Sequence, residues 1–107
     1  MFDYYKRSPS TQRNGNSFST DTIVAVWMKA KPIPGKDPST FRKDTCGAEI
    51  KLTEYGNRNS VYGWEVDHIY PVSKGGSDQL LNLQPLHWRN NASKSDGPNY
   101  SFCAVTY

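Results

Sequence analysis

The sequence predicts an α+β fold built as one small domain. Two patterns carry that expectation. Apolar residues recur at helical spacing from Ile23 to Ala30, and a strand, glycine loop, strand and helix follow one another between Trp64 and Asp96. A chain of 107 residues, 36% hydrophobic and 13% aromatic, has room for one core and no second. Mean hydropathy is −0.77, so the core must be compact and the polar loops long. A domain of this size is marginal on burial alone, and a bound metal or an aromatic cluster is expected to supply part of its stability.

The elements can be justified in chain order. Residues 1–19 are rich in Ser, Thr, Asn, Gln and Gly and read as a flexible N-terminal arm, with Tyr4, Tyr5 and Phe18 able to dock on the core. Residues 20–107 then form the single domain, with 64–96 as its central motif. Ser19-Thr20-Asp21-Thr22 is an N-cap neighbourhood, and Ile23, Val26, Trp27 and Ala30 follow the i, i+3, i+4, i+7 pattern of an amphipathic helix. Pro32 and Pro34-Gly35 stop it. A three-turn stripe containing a tryptophan reads as core rather than as a partner-binding face. Residues 31–45 form a basic connector, Lys31, Lys36, Arg42 and Lys43 among three prolines, solvated unless it folds beside a reactive centre.

From Cys46 to Gly63 short apolar pieces alternate with turn residues, which suits a short strand or an irregular segment. Gly63 to Ile69 reads as a strand with Trp64 and Val66 on one face. A loop with Pro71 and Gly75-Gly76 follows, and Leu80 to Leu86 returns as a second strand. His87 to Lys94 suits a helix ended by Asp96-Gly97-Pro98, and the tail from Tyr100 to Tyr107 suits an edge strand. No internal repeat is visible.

Net charge is +3 and the pI near 8.9, a mild basic bias that permits phosphate contacts without demanding them. Cys46 and Cys103 belong to no C-x-x-C pair and are expected to be free thiols in a reducing compartment. No apolar run reaches ~18 residues, and Met1 to Arg7 lacks the apolar stretch of a signal peptide. The expectation is therefore a cytoplasmic protein without a membrane partner.

The polar anchors of the central motif are Asp67-His68, Asn82, Asn91 and Lys94. With Pro71, Gly75-Gly76, Asn82-Leu83, and Asn91 followed three residues later by Lys94, this order resembles the HNH nuclease family over about a third of the chain. The resemblance implies a ββα-metal finger and a metal-dependent endonuclease acting on DNA, leaving 5′-phosphate and 3′-hydroxyl ends. The residue types suit such chemistry. Histidine, with an ordinary pKa of ~6.5, is the natural group to take a proton from water, which makes His68 the expected general base. The carboxylate of Asp67 and the amide oxygen of Asn91 are hard ligands for one divalent cation, expected to be Mg²⁺ with Mn²⁺ as the alternative. Asp67 and His68 would face opposite sides of a regular strand, so the strand must end or bend there. Asn82 is expected to organise the loop and hold His68 in place.

Many members of the family carry a structural zinc on two C-x-x-C pairs. The matching positions here are Cys46 with Glu49 and His87 with Asn90, a poor zinc set, so no structural zinc is expected and Trp27, Trp64 and Trp88 should fill the space. His87 is read first as capping or packing at the start of the helix, with a third ligand to the cation as its alternative. Lys94, Lys74 and Arg89, and more loosely Arg58, are candidate DNA-phosphate contacts. The competing reading is a catalytically inactive domain of the same fold that binds nucleic acid or a protein. Small size suggests weak sequence preference, or a targeting or inhibitor protein as partner.

Overall fold

The computed structural model describes residues 7–95 and 102–107. Helix α1, Thr20–Trp27, starts where Ser19 accepts a hydrogen bond from the Thr22 main chain, with Asp21 in the first turn favourable to the helix dipole. Its buried residues are Val26 and Trp27, and Ala30 is buried just beyond its end. The basic connector is not a plain loop. It contributes β1 (Lys31–Pro32) and β2 (Phe41–Lys43), which pair antiparallel with each other and with β3 (Glu49–Lys51) in the order β1-β2-β3. One of its charges is structural: the Arg42 guanidinium is buried and donates to the carbonyls of Pro38, Met28 and Ala30. It thereby binds carbonyls that the end of α1 leaves open.

The second sheet pairs β4 (Trp64–His68) with β5 (Leu83–His87) antiparallel, Asp67 opposite Gln84 and His68 opposite Leu83. All five residues of each strand are buried. Helix α2, Trp88–Lys94, follows β5 directly. The core joins Phe18, Val26, Trp27, Ala30, Ile50, Trp64, Val66 and Leu83. Trp27 and Trp64 lie 5.3 Å apart at ring centres, and Tyr55 meets Trp64 edge-on at 4.9 Å. The third tryptophan is half-buried outside this core and stacks on His87.

The loop between β4 and β5 folds back on itself, with Gly76 N–H donating to the Pro71 carbonyl. A side chain at Gly76 would come within 1.7 Å of the Tyr70 carbonyl, so only glycine allows this closure. Residues 7–19 of the expected arm are bonded to the body. Ser10 Oγ shares a hydrogen bond with the Tyr55 hydroxyl and accepts from Val66 N, Phe18 is buried, and Arg13 N meets Asp78. Tyr4 and Tyr5 lie outside the described residues.

Two expectations are corrected. Cys46 and Cys103 are not free thiols but a disulfide, Cα atoms 5.7 Å apart, spanning 57 residues of sequence. Nor do residues 102–107 form an edge strand. The tail is held by the bridge and by Asn90, whose oxygen accepts from Ala104 N and Val105 N and whose nitrogen donates to the Val105 carbonyl. Side-chain bonds from one residue meet the tail's main chain, so no neighbouring strand is needed. The Asp96-Gly97-Pro98 helix stop lies outside the described residues.

Candidate functional site

Strand β4 alternates its side chains, and the alternation sorts the site. Glu65 and Asp67 share the face that meets α2, through Asn91 and Lys94. Val66 and His68 lie on the other, where Phe18 packs 5.9 Å from the imidazole. His68 is the last strand residue. The chain then turns, with Ile69 N donating to the Asn82 carbonyl. Because the strand ends there, Asp67 and His68 both reach one cleft of about 330 Å³, to which Asn91, Ala92, Pro71, Arg7 and Arg58 also contribute.

Asp67 is buried. Its carboxylate accepts from Gln84 Nε2 at 2.9 Å and lies 3.3 Å from the Lys94 ammonium. Burial pushes its carboxyl above the usual range, against the opposing pull of the Gln84 hydrogen bond and the Lys94 charge. The His68 imidazole is 5% exposed, and its Nε2 lies 2.7 Å from Asp78 Oδ1. Asn91 donates its Nδ2 to Glu65 Oε1 at 2.8 Å. Glu65 is itself clamped by Arg58, which donates Nε to Oε2 at 2.7 Å and Nη2 to Oε1 at 2.9 Å. With one of its two N–H groups given to a carboxylate, the Asn91 amide keeps an oxygen that accepts no hydrogen bond among the described residues.

Asn82 stands outside the cleft and ties the loop. Its oxygen accepts from Tyr70 N, and its nitrogen donates to the carbonyls of Tyr70 and Ser77. Lys74 is exposed in the short 3₁₀ turn Val72–Lys74 beside the cleft wall. Arg89 is exposed with its guanidinium 5.0 Å above the Trp88 ring. One expected role needs correction. Lys94 does not reach outward to phosphate: its side chain is 0% exposed and its ammonium is held by Asp67 and the His68 carbonyl. His87 caps α2, its first reading: its Nδ1 accepts from Arg89 N while Nε2 meets the Val61 carbonyl at 2.8 Å, so neither nitrogen is left for a cation.

The positions matching the zinc ligands of the family are otherwise engaged. Cys46 is in the bridge, Glu49 pairs with Lys36, and Asn90 joins Asp44 to the tail. At the centre stands a residue the sequence reading passed over. Asp44 accepts from the main-chain nitrogens of Cys46, Ala48 and His87 and from Asn90 Nδ2, all at 2.9 Å. Glu65 and Asp78 were also passed over. For Glu65 a signal existed, since it lies two residues before Asp67 and so shares its face of a strand.

Among the described residues no three His, Cys, Asp or Glu side chains converge to hold an ion. Asp67 and Asn91 do line one cleft, and a carboxylate and an amide oxygen are hard donors of the kind that could hold a cation there. That donor set suits Mg²⁺ or Mn²⁺ and does not suit zinc.

Two antiparallel strands followed at once by a short helix, with an Asp-His pair at the strand end and an asparagine on the helix facing one cleft, make β4-β5-α2 a ββα finger. The sequence model of the HNH endonuclease family matches residues 44–97, just over half of the chain, and the chain belongs to that family. The match begins at Asp44, so the central carboxylate of the knuckle is its first residue, while α1, β1 and β2 lie outside it. No curated protein and no solved structure matches the chain.

Proposed function

We propose that the chain is a metal-dependent endonuclease that hydrolyses DNA phosphodiester bonds. The observation that carries this reading is the convergence of Asp67, His68 and Asn91 on one cleft. In this reading His68 takes a proton from a water whose oxygen attacks phosphorus, the bond to the 3′ oxygen breaks, and that oxygen leaves with a proton. Asp67 and the Asn91 amide oxygen hold one divalent cation, Mg²⁺ or Mn²⁺, which when bound neutralises charge building on the phosphate and the leaving oxygen. Glu65 turns the Asn91 amide so that its oxygen serves the cation. Arg58, 41% exposed in its side chain at the cleft wall, offers a positive contact to the neighbouring phosphate, with Lys74 beside it.

The test is nicking of supercoiled plasmid with Mg²⁺ or Mn²⁺. His68→Ala is expected to lower the rate by about 10²- to 10⁴-fold, the usual worth of a general base. Wild-type cutting by this variant would remove His68 from that role. The competing reading, a domain that binds nucleic acid without cutting it, draws on one observation: Gln84 and Lys94 already occupy Asp67. It predicts no cleavage with any divalent ion, together with salt-sensitive DNA binding that persists in a chelator.

The Cys46–Cys103 bridge also bears on where the chain works. Disulfides persist in oxidising surroundings and are rare in the cytosol, so we read the working compartment as oxidising rather than cytoplasmic.

A further inference from the structure

His68 keeps one ring nitrogen away from the cleft chemistry, and its partner is a carboxylate. Asp78 stands two residues beyond Gly76, on the loop that returns from β4 to β5. Its Oδ1 lies 2.7 Å from His68 Nε2. An ionised carboxylate only accepts, so Nε2 carries the hydrogen and a neutral imidazole keeps its lone pair on Nδ1. Among the described residues no buried side-chain nitrogen or oxygen lacks a partner. Nδ1, which makes no hydrogen bond among the described residues, is therefore the accessible nitrogen of a ring that lines the cleft.

Asp78 does not float. Both of its oxygens accept from the main-chain N–H of Arg13, at 3.1 and 3.2 Å, so a segment 65 residues earlier in the chain fixes its carboxylate. The preceding carbonyl, that of Ser77, accepts from Asn82 Nδ2 at 2.8 Å. The Phe18 ring lies 5.9 Å from the imidazole and limits its tilt. A chain of contacts thus runs from Asn82 through Ser77 to Asp78 and on to His68.

We propose that Asp78 is a positioning residue: its carboxylate holds His68 as the Nε2–H tautomer with Nδ1 aimed into the cleft, and the Arg13 main chain keeps that carboxylate in place. The effect on turnover rests on the endonuclease reading; the tautomer does not. Second partners of this kind act by fixing the ring and its proton, and their loss typically costs about 10- to 100-fold.

The experiment uses the full chain labelled with ¹⁵N, recording long-range proton–nitrogen correlations of the neutral imidazole beside plasmid nicking kinetics. Wild type is expected to show His68 protonated at Nε2. Asp78→Ala should give a mixture of tautomers and a kcat lower by about 10- to 100-fold, with KM changed by less than about twofold. Asp78→Asn keeps an acceptor oxygen and should lose less than Asp78→Ala. A wild-type His68 protonated at Nδ1, or an Asp78→Ala variant with unchanged tautomer and kcat, would overturn the proposal. If Asp78→Ala fails to fold, the wild-type tautomer and the kcat of Asp78→Asn decide it. A wild type that never cuts, yet holds an Asp78-dependent Nε2–H tautomer, sinks the endonuclease reading and leaves the positioning role standing.

Discussion

Asn90 and Asn91 are neighbours on α2 and are used in opposite ways. Asn90 is fully buried and spends its whole amide: Nδ2 donates to Asp44 and the Val105 carbonyl, and Oδ1 accepts from two tail amides. Asn91 is half-buried, gives an N–H to Glu65, and lines a cleft with an amide oxygen that accepts nothing among the described residues. The same contrast separates the two polar clusters they belong to. In the knuckle around Asp44 the donors and acceptors are spent on one another, beside a disulfide. In the cleft below β4, some remain for a visitor. A buried polar network whose capacity is exhausted is architecture; one that keeps a hard oxygen and a ring nitrogen in reserve has chemistry left to do.

The contrast can be broken most forcefully at Lys94, whose buried ammonium lies behind the cleft and is held by Asp67 and the His68 carbonyl. Lys94→Met leaves Asp67 buried without its cation and should cost on the order of 3–5 kcal/mol in urea unfolding. A cost under about 1 kcal/mol would mean the pair contributes little to the fold. Next comes the bridge. Reducing Cys46–Cys103, or replacing both with serine, should lower stability by about 2–4 kcal/mol, with the denaturation midpoint falling in reductant. An unchanged midpoint would show that the Asp44 hub holds the knuckle alone.

The two asparagines then give a crossed test of slightly smaller size. Asn91→Ala should reduce metal-dependent cleavage at least about a hundredfold while stability moves by less than about 1 kcal/mol. Asn90→Ala should do the reverse, costing about 2–3 kcal/mol because it leaves two tail amides without their acceptor and removes one of the two donors to Asp44 Oδ2. If the two variants behave alike, the division of labour drawn here is wrong. The smallest expected effect belongs to Lys74. Lys74→Ala should weaken DNA binding evenly across sequences and reduce the salt slope by about one, with stability inside about 0.5 kcal/mol. A change of sequence preference would make Lys74 a reader of bases rather than of backbone.

Much of the architecture was legible along the chain. The α1 stripe, the strand through Trp64 and Val66, the glycine loop and the short final helix stand where spacing and turn residues put them. The ordered Asp-His, Asn-Leu and Asn-x-x-Lys anchors named the family before any coordinate. Those signals are local, because backbone periodicity and glycine tolerance are written within a few residues of where they act. The misreadings share one physical origin. Whether Cys46 meets Cys103 depends on where the tail runs, and that is set by Asn90 and Asp44, not by cysteine spacing. Whether Lys94 faces solvent or Asp67 depends on how α2 lies on β4, and an i, i+3 relation to Asn91 is silent on that. At His87 the choice between cap and ligand is likewise made only where Val61 and Arg89 take both its nitrogens.

What the sequence determined by itself was α1, the β4–β5 pair and α2, with a histidine, a carboxylate and an amide in the order of the family; the β1-β2-β3 sheet escaped it. The tertiary structure decided which polar atoms are consumed and which are left over. The reason is range. A hydrogen bond acts over about 3 Å of space whatever the separation along the chain, so the partners of His68, Asp67 and Asn91 exist only once the strands and α2 are in place.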